Sequence, residues 1–312
     1  MKKLALILFA LTLVTACNIE PLDPDLVDPQ GGNNNGGNSG SESDDLTLEL
    51  YQLDTNISFS FFGTPIETVT KSDLIIVNNK IDSGINKVSV SGSPFVEENQ
   101  VITRNTSGQI ISDISVNQAG VTTNEYIITY TNGVISNITY EYTEDEDDNF
   151  NYNFTYDANT ITREEVGSTI TTVFTVDASD RIISKASFDD GVPIQTETIT
   201  YDNNGNITGS VAVLEIQSNN TYVYDNQLNP LKVVYEDNYL LNFLRDDYSD
   251  EIGPQIAQFL STNNWRAGTF NGQSFTFNLE YNTVGRITNR TIAYGFDSGI
   301  SFQIDELFDY VN

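Results

Sequence analysis

The 312-residue sequence contains no histidine and only one cysteine, Cys17. Without histidine, the chain lacks the usual general base, the commonest metal-binding side chain and the side chain that titrates near neutral pH. Nucleophilic catalysis by Ser-His or Cys-His pairs is therefore excluded, and so are the usual zinc sites. A disulfide within the chain is also impossible, so the fold depends on the burial of a core.

Basic residues are scarce. Lysine and arginine total 14 against 44 aspartates and glutamates, which gives a formal net charge of −30. Such a charge repels the phosphates of nucleic acids, so we predict no nucleic-acid partner. The same acidity keeps a surface protein soluble.

A long apolar run occurs only near the N-terminus, where residues 4–14 follow Lys2-Lys3. This run is too short for a permanent transmembrane helix and predicts a signal peptide at residues 1–16. It ends in a motif that resembles the bacterial lipobox, Val14-Thr15-Ala16-Cys17. The resemblance implies that Cys17 is acylated and anchors an exported protein to the outer membrane, on its periplasmic or surface face. The alternative is a plain secretory signal that is removed together with its cysteine.

Residues 17–45 are rich first in proline and aspartate and then in glycine, asparagine and serine. Such a composition cannot bury enough apolar surface to offset chain entropy, so we predict a disordered tether. Residues 46–312 have the alternating pattern of β-strands and predict a single antiparallel β domain.

One short phrase recurs within this domain and is clearest at residues 199–209, Ile-Thr-Tyr-Asp-Asn-Asn-Gly-Asn-Ile-Thr-Gly. An alternating strand enters an Asp/Asn/Gly turn and leaves as a second alternating strand, which is the pattern of a β-hairpin. The strands that precede such turns end at Arg104, Tyr130, Tyr156, Val176, Tyr201, Tyr224 and Tyr281. Short repeats of this kind predict an all-β meander of hairpins that forms a curled sheet or a partly closed barrel.

Alternation assigns most aromatic residues to one face of the sheet. The predicted inner face contains Tyr126, Ile128, Tyr130, Ile138, Tyr140, Tyr142, Tyr152, Phe154, Tyr156, Phe275, Phe277, Leu279 and Tyr281. Polar residues such as Thr139 and Glu141 alternate with them, as in an antiparallel sheet that is packed on one side. We predict that the tyrosine rings lie on the core while their hydroxyls reach water. The alternative is an aromatic platform for sugar rings.

Near residues 240–262 the spacing of apolar residues changes from the two-residue period of strands to a helical period, and we predict a short helical insert there. Gly253-Pro254 begins a helix, because proline suits the first helical turn. The apolar residues Ile252, Ile256, Phe259 and Leu260 then fall on one side of it. We expect this insert to cover an open end of the sheet.

Two turns resemble YD (Rhs-type) repeats, which build β-sheet shells: Tyr201-Asp202-Asn203-Asn204-Gly205-Asn206-Ile207 and Tyr281-Asn282-Thr283-Val284-Gly285-Arg286-Ile287. A degenerate copy, residues 175–182, lacks the tyrosine and the glycine. The region from about Thr103 to the C-terminus, with the phrase at residues 224–231 and Asn263-Asn264-Trp265, is similar to Bacteroidetes lipoproteins with a DUF4595-type, barrel-like domain. That group has no assigned activity, so the resemblance implies fold, compartment and phylum and leaves function open.

Calcium is the one metal that the sequence brings into consideration. Asp202, Asn204 and Asn206 have the spacing of a calcium loop, but the required glycine and glutamate are replaced by Ile207 and Val213. A hairpin turn explains these residues better. Two acidic groups remain as candidates for weak calcium binding: residues 144–148, and Asp246, Asp247, Asp250 and Glu251. No other cofactor is predicted.

Three further hypotheses remain. Paired carboxylates support glycoside hydrolysis without histidine, but no motif selects a pair among the 44 acids. Trp265 lies beside amides, which suits stacking on a sugar and equally suits packing in the core. A membrane-spanning barrel is disfavoured. Spanning strands need about 9–11 residues and an apolar outer band, whereas many of the predicted strands are shorter and rich in threonine and asparagine.

The sequence therefore predicts a non-catalytic binding or structural module, held at the outer membrane through Cys17, with a glycan or another surface protein as partner. The alternatives are a glycan-active enzyme and a weak calcium-dependent adhesion module.

Overall fold

The computed structural model describes residues 47–61, 64–143, 145, 148–295 and 301–311. Within them, nineteen antiparallel strands follow one another around a barrel, and each pairs with its neighbours along the chain except β16 and β17, which are successive parts of one strand. The ring closes where the first strand, β1 (Leu48–Phe61), pairs with the last, β19 (Ser301–Tyr310), for example at Leu53 and Glu306. The predicted all-β meander is thus confirmed.

The remaining strands are β2 (Thr64–Val77), β3 (Lys80–Val90), β4 (Val96–Arg104), β5 (Ile110–Asn117), β6 (Thr122–Thr131), β7 (Val134–Tyr142), β8 (Phe150–Asp157), β9 (Thr160–Glu165), β10 (Ile170–Val176), β11 (Ile182–Asp189), β12 (Val192–Tyr201), β13 (Ile207–Leu214), β14 (Ser218–Leu228), β15 (Asn263–Phe270), β16 (Gln273–Thr276), β17 (Asn278–Tyr281) and β18 (Ile287–Gly295).

The strands alternate between a buried inner face and a more polar outer face. In β1, Tyr51, Leu53, Thr55 and Ile57 are buried, whereas the residues between them are only partly buried and are all polar. Most residues of the predicted inner face are buried or pack against the core, including Ile128, Ile138, Tyr152, Phe154, Phe275 and Phe277. Tyr140 and Tyr142 are partly buried, and Tyr281 is the one exposed residue of the set, at 37%.

Five turns share one construction, which explains the recurring Asp/Asn/Gly phrase. In each, the side-chain oxygen of the first residue accepts hydrogen bonds from the backbone amides of the third and fifth residues. These turns are 105–109, 117–121, 177–181, 202–206 and 282–286. The fourth position always has a positive φ; Gly205 has φ 87°, and Asp180 adopts φ 60° in the degenerate copy. Aspartate is among the few residues other than glycine that visit this conformation readily.

The recurring tyrosines have a role that differs from the predicted one. Four tyrosine hydroxyls do not simply reach water; each donates to the carbonyl of an isoleucine that follows an earlier turn. The pairs are Tyr130–Ile110 at 2.8 Å, Tyr156–Ile135 at 2.8 Å, Tyr201–Ile182 at 2.9 Å and Tyr310–Ile287 at 2.8 Å. Each tyrosine therefore ties one hairpin to the previous one at the turn end of the barrel.

The helical insert is longer than predicted and begins ten residues earlier. It consists of α1 (Pro230–Tyr235), a 3₁₀ turn (Glu236–Asn238), α2 (Tyr239–Arg245), α3 (Gly253–Gln255) and a π-helical turn (Ile256–Leu260). The missed signal is Asn229-Pro230: Asn229 caps α1 through the amide of Leu231, and Pro230 occupies the first turn.

The insert packs inside the barrel, because its apolar residues belong to the same core as the strands. Ile252, Ile256, Phe259 and Leu260 are all buried, as predicted. None of the helices in the described residues has the length and hydropathy of a transmembrane helix, since the longest has seven residues.

Candidate functional site at the barrel seam

Among the described strands, the barrel has one seam, where the strand formed by β16 and β17 changes partners. β16 pairs with β15 up to Ala267–Thr276, and the Phe277 amide still donates to the Arg266 carbonyl at 2.8 Å. β17 then pairs with β18 instead, beginning at Asn278–Thr291. In the β15–β16 register, the next hydrogen-bonding pair after Arg266–Phe277 would join Asn264 to Leu279, but this pair is not made. The seam therefore opens between β15 and β17.

A cleft of about 590 Å³ lies at this opening. One wall is the segment Asp225-Asn226-Gln227, which bulges out of β14, because Tyr224 pairs with Trp265 while Leu228 already pairs with Asn263. The full lining comprises Asp225, Asn226, Gln227, Arg266, Thr276, Phe277, Asn278, Leu279, Tyr281 and Gly285. The cleft thus combines a carboxylate, a guanidinium, several amides and two aromatic rings.

Polar contacts hold these side chains in place. The Tyr281 hydroxyl donates to Asp225 Oδ2 across the cleft, and Arg266 Nε donates to the Tyr224 carbonyl at 3.1 Å. Burial, together with the hydrogen bond to Asp225 and its charge, raises the pKa of Tyr281 above its ordinary value. The phenol therefore stays protonated and acts as a hydrogen-bond donor.

Trp265, the predicted sugar-stacking residue, lies behind the seam and does not line this cleft. The indole is 3% exposed, and its ring centroid lies 4.7 Å from that of Phe277 and 5.6 Å from that of Tyr222. Its Nε1 donates to the Ala267 carbonyl at 2.8 Å. The side chain thus packs in the core, and a role for it in ligand binding stays a prediction.

The cleft residues Asp225, Arg266 and Tyr281 were not selected by sequence reasoning. The phrase at residues 224–231 resembled a repeat turn, and Tyr281 fell on the predicted core face. One signal was available: this phrase has no glycine at its fourth position, whereas the true turns at Gly205 and Gly285 do. The absence of that residue is consistent with a chain that continues as strand β14.

A second group of polar residues lies inside the barrel and binds the insert. Lys185 Nζ donates to the carbonyls of Asp247 at 2.6 Å and Asp250 at 2.8 Å, and Arg163 Nη1 donates to the Leu244 carbonyl at 3.1 Å. Glu197 accepts the amides of Ile252 at 2.7 Å and Gly253 at 2.9 Å. These charged side chains replace water for backbone groups that the insert buries.

Burial dominates the ionisation of this group. It raises the pKa of Glu197 to about 7, and the two amide hydrogen bonds only partly oppose the increase. Burial and the charge of Asp246 raise the pKa of Asp250 to about 7 as well. Burial also lowers the pKa of Lys185.

The calcium candidates are engaged in other interactions. Asp202 Oδ1 accepts the amides of Asn204 at 2.8 Å and Asn206 at 2.9 Å, as a hairpin turn requires. Asp246 Oδ2 accepts Gln255 Nε2 at 3.0 Å. Among the described residues, no three acidic side chains are grouped as metal ligands would be. Three members of the acidic run, at positions 144, 146 and 147, lie outside the described residues, as does Cys17.

A glycoside hydrolase requires two carboxylates that face the same cavity. The cleft is lined by one acidic residue, Asp225, and a smaller inner cavity by one, Glu251. Glu197 is a carboxyl group of raised pKa, but it lines neither cavity and both its oxygens accept backbone amides. Neither cavity brings two carboxylates together.

No protein-family model and no curated protein sequence matches the chain. Among solved structures, a porin-like protein from Bacteroides uniformis is similar, with a TM-score of 0.46 and 11% identity over 85% of this chain and 98% of that one. A porin-like protein from Bacteroides vulgatus has a TM-score of 0.31 and 11% identity over 73% of this chain and 97% of that one. At scores this low, neither similarity defines a function. The resemblance to YD repeats and to DUF4595-type lipoproteins stays a prediction.

Proposed function

We propose that the protein is a non-catalytic binding module, lipid-anchored to the outer membrane through Cys17, and that the seam cleft binds a carbohydrate. The observation that carries the proposal is the change of strand partner at Phe277, which opens a cleft in a sheet that is otherwise continuous. Its volume of about 590 Å³ falls within the range of about 300–1,000 Å³ that is typical of ligand pockets.

The chemistry of the cleft suits a polyhydroxylated ligand. Sugar hydroxyls both donate and accept hydrogen bonds, and Asn226, Gln227 and Asn278 present groups of both kinds. Asp225 accepts and Arg266 donates, and a hydrogen bond to a charged group contributes about 1.5–3 kcal/mol. The ring of Tyr281 offers an apolar surface beside these groups.

A binding experiment on a glycan array tests this proposal with the full chain purified in detergent. We expect the wild-type protein to bind a defined set of glycans, Arg266→Ala to lose at least about tenfold in affinity, and Tyr281→Phe to lose several-fold because only its hydroxyl is removed. Tyr248→Phe is the matched control, since the Tyr248 hydroxyl also donates to a carboxylate, Glu215, but outside the cleft.

Several outcomes would overturn the proposal. If the wild-type protein bound no glycan, the carbohydrate assignment would fail. If Arg266→Ala and Tyr281→Phe bound as the wild type does, the site would lie elsewhere. Binding that disappeared on chelation of calcium would favour the adhesion module, and release of shortened glycans would favour the enzyme.

A peptide from another surface protein is the second candidate, and one observation favours it. The unmade pair between Asn264 and Leu279 leaves strand edges at the seam, and an extended peptide can add to such an edge. Binding of an unstructured peptide library, with no binding to the array, would select this candidate over the first.

A further inference from the structure

A second cavity of about 210 Å³ lies inside the barrel on the other side of the seam, between β14 and β15, the insert, and β18 and β19. Its rim includes the exposed Asn271, and the insert contributes Glu251, Pro254 and Gln258. The volume is below the range that holds drug-sized ligands, so the cavity suits a small molecule or a single side chain.

Two aromatic rings form a corner of this cavity. Trp265 and Phe270 have ring centroids 5.9 Å apart and planes inclined at 58°. Tyr222 supports both, with centroid distances of 5.6 Å to Trp265 and 6.2 Å to Phe270. Because the ring planes are inclined to each other, each ring can present a face to the same ligand in the cavity.

Glu251 is the only charged residue in the lining. Its Oε1 accepts a hydrogen bond from Ser218 Oγ and lies 3.4 Å from Asn220 Nδ2, and both of these neighbours are buried. In the part of the chain that the structure describes, no lysine or arginine forms an ion pair with it. Behind the lining residue Gln258, whose Nε2 donates to Glu306 at 3.1 Å, Arg290 is bound through two of its nitrogens to the same Glu306. That arginine is thus neutralised by its own partner.

We infer that this cavity binds a small organic cation, an alkylammonium group, between the rings of Trp265 and Phe270 and the carboxylate of Glu251. Aromatic faces attract cations through the ring quadrupole, and quaternary ammonium groups are recognised by aromatic cages. A carboxylate beside the rings adds a full charge in a partly desolvated site. The net charge of −30 raises the local concentration of cations around the protein.

The test uses intrinsic fluorescence, because Trp265 is the only tryptophan and forms a wall of the cavity. The probes are choline and 3,3-dimethylbutan-1-ol, which has the same shape with a carbon in place of the charged nitrogen, and sodium chloride keeps the ionic strength constant. We expect choline to change the Trp265 emission saturably. The alcohol should need a concentration at least about tenfold higher to produce the same change.

Variants locate the binding. Glu251→Gln is expected to weaken choline binding at least about tenfold, whereas Glu164→Gln, which changes an exposed acid on β9, leaves it unchanged. Phe270→Leu keeps an apolar wall and removes a ring face, so calorimetric titration of this variant with choline is expected to show a several-fold loss. Thermal melts confirm that each variant is folded.

The inference is overturned if choline gives no saturable change at millimolar concentration, if the neutral alcohol binds equally well, or if Glu251→Gln binds choline as the wild type does. It does not depend on the proposed function, because the seam cleft has a different lining. Arg266→Ala and Tyr281→Phe are expected to leave choline binding intact, so the failure of one proposal is distinguishable from the failure of the other.

Discussion

At the scale of single residues, the inner face of this barrel contains charges that an alternating pattern assigns to a core. Lys185 and Glu197 are 1% and 2% exposed, and each binds backbone atoms of the insert. Removing such groups from water is costly unless hydrogen bonds replace the lost hydration. No local feature of the sequence predicts these partners, because they lie more than fifty residues away in the chain.

The buried Glu197 predicts a pH dependence of stability. Burial raises its pKa from the ordinary value of 4.5 to about 7, so between these values the folded protein keeps a proton that the unfolded chain has lost. The stabilisation from this group is complete below pH 4.5 and is lost as the pH rises through 7. The total change is on the order of 3 kcal/mol in the free energy of unfolding.

Comparison of wild type with Glu197→Gln isolates this effect, because the amide does not titrate. We expect denaturant unfolding at several pH values to show that the free energy of unfolding of the variant, relative to that of the wild type, rises by about 3 kcal/mol between pH 4.5 and pH 8. Glu164→Gln, at an exposed position, is expected to show a constant difference. A difference for Glu197→Gln that is independent of pH would contradict the raised pKa.

At the scale of elements, hairpins could be predicted from the sequence, and the change of strand partner could not. The turn at residues 202–206 is formed by its own side chains, so a local phrase determines it. The strand that passes through Phe277 alternates normally on both sides of the change. Its partners are set by the register of β15 and β18, and a single sequence contains no direct signal for such long-range register.

The insert likewise has one part that the sequence predicts and one part that it does not. The helical period predicted buried residues on one side of α3 and the π-helical turn, and the structure confirms them. The earlier start at Pro230 was missed, because residues 224–231 resembled a repeat turn. The helix start is signalled by only two residues, Asn229 and Pro230, and the longer repeat-like phrase around them predicts a turn instead.

The seam predicts uneven hydrogen exchange along one strand. Backbone amides alternate in direction, so the Leu279 amide points to the same side as that of Phe277, toward β15, where no partner strand is paired. We expect it to exchange faster than the Phe275 amide, which points the same way and lies in the paired part opposite Gly268. Residue-resolved exchange measured by NMR tests this, since amides without sheet partners open at low cost.

Equal protection of Leu279 and Phe275 would show that the seam is closed in solution, and the cleft would then lose its basis. A carbohydrate bound in the cleft is expected to slow exchange at Leu279 and to leave Phe275 unchanged.

At the scale of the whole molecule, closure of the ring and attachment to a membrane are separate questions. Aromatic alternation and repeated hairpins predicted a curled sheet or partly closed barrel, and the pairing of β1 with β19 confirms closure on that side. The number of strands and the position of the seam depend on how all the hairpins pack together, which periodicity does not determine. Attachment rests on residues 1–17, which lie outside the described part of the chain.

Charge gives a reason for expecting an anchor on this protein. A net charge of −30 opposes adsorption to an anionic membrane surface, so the proposed association with the outer membrane requires an attractive contribution of a different kind. Acyl chains provide one, because each buried methylene contributes about 0.8 kcal/mol. We therefore expect Cys17→Ser to abolish incorporation of radiolabelled palmitate in a Gram-negative host and to move the protein from the membrane to the aqueous fraction.

Asn18→Gln is the matched control for that change, because it alters the neighbouring side chain while keeping the thiol, and it is expected to label and fractionate as the wild type does. Unchanged labelling of Cys17→Ser would refute acylation at this residue. If the label were lost but the protein stayed with the membrane, the acyl chains would not be what holds it there. The barrel would then need an attractive surface strong enough to overcome its own negative charge.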